Sequence, residues 1–203
     1  CIPESVNRLV SALGTRPWEV LSFSRSELEK AIKRNPPDFV FTNSDMASVL
    51  ERYLQYDHLL SFKNNVSSDA GKLSGSLIVV NKDSDIRKLD MLAGKRIGRL
   101  SSSSMAGWKT AVGEVTALGY SPQDFFKRIQ SFDNDIEMIQ ALTKGELSAA
   151  ILQGCHYERL PEKLRALLRP LEPRTFSETQ CSSTSELYPA WSLMAASGVP
   201  KEL

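Results

Sequence analysis

The sequence predicts an α/β fold built from two successive strand–helix series, the second inserted between the first and a C-terminal return segment. Short apolar runs of strand character alternate with segments of helical periodicity, first over 18–54 and again over 95–152. A polar Gly/Ser-containing stretch at 64–75 and the charged break Lys82-Asp83-Ser84-Asp85 separate the two series. Such alternation with short turns signals parallel sheet flanked by helices.

The elements follow in order. Val6, Leu9, Val10 and Leu13 recur at helical spacing, and Gly14 stands where a C-terminal cap belongs. Trp18 to Phe23 alternates like a strand. Ser24 and Glu27 form a capping box ahead of a helix carrying Leu28, Ala31 and Ile32, which Pro36-Pro37 stops. Asp38 to Thr42 is the next strand. Ser44 or Asp45 caps the helix marked by Val49, Leu50, Tyr53 and Leu54. Ser76 to Val80 reads as a central strand.

In the second series Lys95 to Leu100 is a strand, followed by Ser101–Ser104 and a helix with Trp108, Ala111, Val112, Val115 and Leu118 inward, ended by Gly119. Pro122 opens a helix. Asp133 or Asn134 caps another bearing Ile136, Ile139 and Leu142, and Gly145 closes it. Leu147 to Leu152 is a strand, and Pro161 to Leu168 a short helix. Trp191 to Ala196 is the last strand, with Pro200 placed to open a further helix.

Composition narrows the function. The 203 residues include 25 Lys+Arg against 24 Asp+Glu, a formal charge of +1, which removes any whole-molecule attraction to nucleic acid or anionic membrane. No apolar run approaches the ~18 residues of a membrane span. The chain opens at Cys1 with no signal peptide or initiator Met and reads as a piece of a longer protein. Cys1, Cys155 and Cys181 form no metal-type spacing, and His58 and His156 lie far apart, so no metal site is expected. One disulfide, Cys155–Cys181, in an oxidising compartment and three separate thiols are both open readings, with Cys1 left over in the first.

The four serines are the most informative local feature, because they join a strand to a helix N-terminus. Unpaired N–H groups, the positive dipole end and hydroxyls converge there, which suits an anionic or strongly polar ligand. Thr42-Asn43-Ser44-Asp45 ends another strand and begins another helix, so it should face the same sheet edge. Trp108 fits a helical core face, whereas Tyr188 and Trp191 lie in a Ser/Thr-rich loop that can reach a cleft. There is no GxSxG, Walker loop, HExxH or GxGxxG, and Cys155-His156 are too close in sequence for a nucleophile and its base. No cofactor is expected.

Several segments resemble the periplasmic phosphate/phosphonate-binding proteins. These are Leu89-Asp90-Met91-Leu92-Ala93-Gly94-Lys95-Arg96-Ile97, then Ser104 to Trp108, Gly119 to Pro122 with Phe125-Phe126, and Met138 to Gly145. Within that group the chain is most similar to the sensor domains of tetrathionate-sensor-type histidine kinases. That likeness rests on Phe39 to Asn43, Ser104-Met105-Ala106-Gly107-Trp108, Cys155-His156-Tyr157-Glu158 and Thr184 to Trp191. Two positions depart from the pattern: Ser148 replaces an acidic residue, and Gln153 stands where these sensors often have Arg.

The resemblance implies a two-lobed type II periplasmic-binding-protein fold, with mixed sheets flanked by helices and a hinge between lobes. Lobe 1 would be 1–76 plus 170–203, and lobe 2 the inserted 77–169. It further implies a non-catalytic extracytoplasmic sensor domain that binds a small polar or anionic solute between the lobes. Ser102, Ser103, Ser104 and the Ala106 N–H would hold the solute, faced by Thr42 and Asn43, with Gln153, Thr184 and Tyr188 at the rim. It also implies membrane tethering and a kinase domain through segments outside this chain, a strand before Cys1, and homodimerisation of the full-length protein. Competing readings are a free solute-binding protein of an ABC transporter, a small enzyme on the same architecture, and a partner-binding module without ligand.

Overall fold

The computed structural model describes residues 18–61, 75–100, 102, 104–176, 179–188 and 191–199. The expected helix near Val6–Leu13, most of the 64–75 stretch and the helix at Pro200 lie outside them.

Helix α1 (Arg25–Arg34) starts as its capping box dictates. Ser24 Oγ accepts from the Glu27 N–H at 3.4 Å, and the Glu27 carboxylate accepts from the Ser24 N–H at 2.8 Å. Strand β1 (Phe39–Asn43), helix α2 (Ser44–Leu54) and strand β2 (Tyr56–Ser61) follow. The α2 cap is Asn43, one residue earlier than expected: its Oδ1 accepts from the Met46 N–H at 3.1 Å. Strand β10 (Trp191–Ala196) lies between β1 and β2, antiparallel to both. The three strands are therefore not a parallel sheet, because the return strand takes the central place. Ile32, Val40, Met46, Leu50, Tyr56 and Met194 form the core beneath this sheet.

Trp18 to Phe23 is not a strand. The segment makes no ladder, and Leu21 and Phe23 are exposed, so period-2 alternation without a paired neighbour does not become sheet. Trp18 instead sets its ring 5.4 Å from Phe39.

The second sheet has five strands in the order β5 (Arg128–Ser131), β4 (Arg96–Arg99), β6 (Ala149–Gln153), β3 (Ser76–Asn81), β7 (Leu168–Pro170). Strand β4 is parallel to β5 and β6, and β3 is antiparallel to β6 and β7, so the sheet is mixed. Along β3 the side chains divide between two cores. Ile78 and Val80 pack with Ile97, Val115, Phe125, Phe126 and Ile151 on one face, and Leu77 and Val79 with Met138, Ile139, Leu142 and Leu152 on the other. Helices α3 (Thr110–Ala117) and α4 (Pro122–Phe125) cover the first face and α5 (Asp135–Thr143) the second.

Asn134 caps α5, accepting from the Glu137 N–H at 2.9 Å. Leu118 and Ile136, expected inward, are exposed. Met138, Ile139, Ala141 and Leu142 form the buried face of α5, and Ile136 lies off that face. The expected helix over Pro161–Leu168 is the single turn α7 (Glu162–Arg165), preceded by α6 (His156–Arg159), and Leu168 belongs to β7. Strands β8 (Arg174–Phe176) and β9 (Thr179–Ser183) form a hairpin on the return path.

Gly98 on β4 lets α5 approach. A Cβ there would stand 2.6 Å from Leu147 Cδ1 and 2.9 Å from Met138 Cγ, whereas one at Gly113 in α3 would meet nothing within 4 Å. Gly98→Ala is therefore expected to cost about 1–3 kcal/mol by overpacking, and Gly113→Ala to add about 0.5–1 kcal/mol of helix stability. Urea unfolding of the two variants should show midpoints moving in opposite directions.

Candidate functional site

Strands β4, β5 and β6 run parallel, so their carboxyl ends share one edge, where α/β sheets present their loops to ligands. At the end of β4 the chain passes Arg99, Leu100 and the serine run, then enters a wide π turn, Met105–Lys109, before α3. Ser104 caps this turn: its Oγ accepts from the Gly107 N–H at 2.9 Å. The first N–H groups of such a turn precede its own hydrogen-bond ladder, and Ala106 is among them.

The π turn has an identifiable cause. The buried Ser76 hydroxyl enters the ladder, donating to the Ala106 carbonyl at 2.6 Å and accepting from the Ala111 N–H at 3.1 Å. Thr110 Oγ1 supplies its remaining contact. A side chain placed between a carbonyl and an amide five residues on forces the helix to widen.

Ser76 also holds the return path. Its N–H donates to Ser185 Oγ at 2.9 Å, and its carbonyl accepts from the Thr184 N–H at 2.8 Å and the Ser183 hydroxyl at 3.1 Å. Thr184 Oγ1 accepts from the Ile78 N–H at 3.0 Å and donates to the Leu171 carbonyl at 2.8 Å. Gly154 donates to the Gly75 carbonyl at 2.7 Å, closing the same junction from β6.

Opposite the π turn stands the start of α2. Asp45, almost fully buried, pairs with Lys109 of the π turn, so an ion pair joins the helix packed on the first sheet to the turn packed on the second. Asn43, exposed at the end of β1, pairs in register with Trp191, whose ring stacks on Phe41 with centroids 5.2 Å apart. Thr42 is buried on the same face of β1 as Val40. Tyr188 is exposed, and Gln153 ends β6 in register with Ser76.

An open cavity of about 450 Å³ lies at the carboxyl ends of β4 and β5, lined by Arg99, Leu100, Ser102, Ser131, Phe132 and Asp133. Ser102 was expected here from sequence, and Ser103 lies outside the described residues. Arg99, Ser131 and Asp133 were not expected. Arg99 sits with its guanidinium 5.0 Å from the centre of the Trp108 ring, and partial burial pushes its pKa below the ordinary arginine value. Trp108 itself packs against the core, as its helical position suggested, and serves as the floor beneath that cation. The signal for Arg99 was its place at a strand's carboxyl end, one residue ahead of the position that precedes the serine run. Ser131 and Asp133 were hidden because β5, with the sequence Arg128-Ile129-Gln130-Ser131, carries almost no apolar pattern.

At the end of β6, Cys155 and Cys181 are joined by a disulfide, with Cα atoms 4.9 Å apart, which ties β9 to the turn after β6. The two cysteines are 26 residues apart in sequence, and closing a loop of that length is worth about 3–4 kcal/mol in the chain-entropy account. The pairing removes Cys155 from any nucleophilic role. His156 Nδ1 lies 2.6 Å from Asp135 Oδ2, and Glu158 Oε1 accepts from the Ser182 N–H at 2.6 Å, so both brace this edge. Among the described residues no group of three or more His, Cys, Asp or Glu could hold a metal ion, and no helix is long and apolar enough to cross a membrane.

Residues 6–203 match the family described as ABC transporter, phosphonate, periplasmic substrate-binding protein. The chain belongs to this family. It is 24% identical over 187 residues to the tetrathionate sensor histidine kinase TtrS of Salmonella typhimurium, covering 87% of this chain and 30% of that protein. The chain thus spans less than a third of the curated relative's length. Among solved structures it is similar to XAC2383 from Xanthomonas citri bound to ATP, with a TM-score of 0.69 at 16% identity over 98% of this chain and 72% of that one. It is also similar to a binding-protein component of an ABC phosphonate transporter, PA3383 from Pseudomonas aeruginosa, with a TM-score of 0.57 at 17% identity over 87% and 56% of the two chains. The fold is that of the type II periplasmic binding proteins, a mixed α/β architecture, and the family is one of solute binding rather than catalysis.

Ser76→Ala would strand the Ala111 N–H and the Ala106 carbonyl in a buried setting. It is expected to cost about 1–3 kcal/mol, read as a lower urea midpoint with an unchanged slope.

Proposed function

We propose that this family member is the extracytoplasmic ligand-binding domain of a two-component sensor histidine kinase, taking a small polar or anionic solute in a cleft between two lobes. Lobe 1 comprises 1–76 and 170–203, and lobe 2 comprises 77–169. The observation that carries the reading is the approach of two capped helix starts from different sheets, at Asn43 and at Ser104, joined by the Asp45–Lys109 pair. Helix starts supply N–H groups and partial positive charge, which favour an anionic or polar group between them.

Ser102, Ser103, Ser104 and the Ala106 N–H hold the solute, and Thr42 and Asn43 face it from lobe 1. Gln153 and Tyr188 stand at the rim. Thr184, whose hydroxyl is engaged on both sides within the fold, acts there by fixing the crossing between lobes. Closure of the lobes on the solute is the signal, passed to membrane and kinase segments outside these residues, with the full-length protein a homodimer. The likeness to TtrS supports the sensor role. The family description favours a second reading, a free solute-binding protein serving an ABC transporter. The flanking reading frame separates them: a kinase domain downstream supports the sensor, and its absence supports the transporter protein.

Thermal shift of the purified chain against oxyanions, sulfur compounds, phosphonates and carboxylates tests the cleft. A true ligand at 100-fold its Kd adds about 2.7 kcal/mol, or roughly 5–10 °C in Tm. Ser104→Trp should abolish that shift. A panel without any shift, or a shift untouched by Ser104→Trp, overturns the proposed site.

A further inference from the structure

The described residues form two bodies, one on each sheet, that share no apolar core. Ile32, Val40, Met46, Leu50, Tyr56 and Met194 pack beneath the first sheet, and both clusters of the second lie within 77–171. Among the described residues no helix or strand of one body packs broadly on the other. The chain passes between them twice, after β2 and before β10. Bodies joined by two crossings, without a large hydrophobic interface, move as hinged units. A contact that spans them therefore has leverage over their arrangement.

The Asp45–Lys109 ion pair is such a contact. Asp45 lies in the first turn of α2, where the helix dipole favours a carboxylate. Lys109 is fixed from the other body. Its N–H donates to the Ser104 carbonyl at 3.1 Å, and the Ser76 hydroxyl that widens this turn sets where Lys109 stands. Both charges belong to the chain, so the pair forms without a solute.

We propose that Asp45–Lys109 is a latch between the two bodies: it holds them together by the chain's own charges, and it must break for a solute to enter the cleft. Closure is then a property of the resting domain, which a solute reinforces rather than creates. The inference rests on the two-lobe reading and adds to it what sets the resting arrangement.

Burial makes the two halves of the latch unequal. The Asp45 side chain is 4% exposed and that of Lys109 42%. A buried carboxylate deprived of its cation is costly, and separating the bodies uncovers the side that faced Lys109. A lysine deprived of Asp45 already stands partly in water. Removing Lys109 should therefore open the bodies more than removing Asp45, and removing both should relieve the push.

Small-angle X-ray scattering on the purified chain, with no solute added, reads the arrangement. Lys109→Arg should keep the radius of gyration of the unaltered chain. Lys109→Met should raise it by about 0.5–1 Å, against about 17 Å for a compact chain of this length. Asp45→Asn should raise it less, and the double variant should fall below Lys109→Met alone, a non-additivity that marks a direct pair. Circular dichroism establishes that the variants fold. If Lys109→Met does not fold, Asp45→Asn against the unaltered chain decides, and its expansion supports the latch. Unchanged radii, or a double variant as expanded as Lys109→Met, overturn the latch and leave the solute site to its thermal-shift test. A thermal-shift panel without hits, beside variants that expand in this order, removes the solute site and keeps the latch.

Discussion

The hydroxyl of Ser76 is the contact on which the site depends. It lies at the first residue of a strand buried from Ser76 to Val80, inside the hydrogen-bond ladder of the turn that follows the serine run. A serine hydroxyl offers one donor and two acceptor positions, and here Ala106, Ala111 and Thr110 use all of them. The wide turn, the direction of its opening N–H groups and the place of Lys109 all follow from that insertion. The backbone of the same residue receives Ser183, Thr184 and Ser185, so the outgoing and returning crossings are held at one point. A hydroxyl-rich junction of this kind, with every buried group satisfied, specifies one geometry more sharply than apolar packing would.

Around this junction the molecule places charge sparingly. The +1 formal charge provides no long-range field, so selectivity must be local. Asp45 and Lys109 neutralise each other across the approach of the two sheets, and His156 Nδ1 is in hydrogen-bond contact with Asp135 along the carboxyl edge. Arg99 lies over the Trp108 ring, its guanidinium 5.0 Å from the ring centre. The disulfide and Glu158 brace the far side of that edge through β9, keeping the end of β6 in place beside it.

Much of this was legible in the chain. Capping chemistry placed α1 to the residue, because Ser24 and Glu27 need only local geometry. The apolar run after Gly75 announced a central strand, and Trp191–Ala196 appeared with its observed bounds. The failures share a cause. Strands β2 and β5 went unseen because Tyr56–Ser61 and Arg128–Ser131 are edge strands, and an edge strand needs little apolar pattern to pair. Trp18–Phe23 was misread for the converse reason, a pattern without a partner. Of the expected binding residues, Ser102 lines the cavity and Ser104 caps the turn, while Thr184 is tied into the junction.

Local chemistry, then, was settled by the sequence itself: which segments are helical, where they start, which strand is central, and that a serine run meets a helix start. Each depends on residues within a few positions of one another, and so does the order of motifs that marks the family. Tertiary structure alone decided that β10 lies between β1 and β2, that Ser76 enters a ladder some 30 residues away, and that Arg99 lies over Trp108. Those outcomes depend on which distant groups meet and satisfy one another, and no local pattern encodes that.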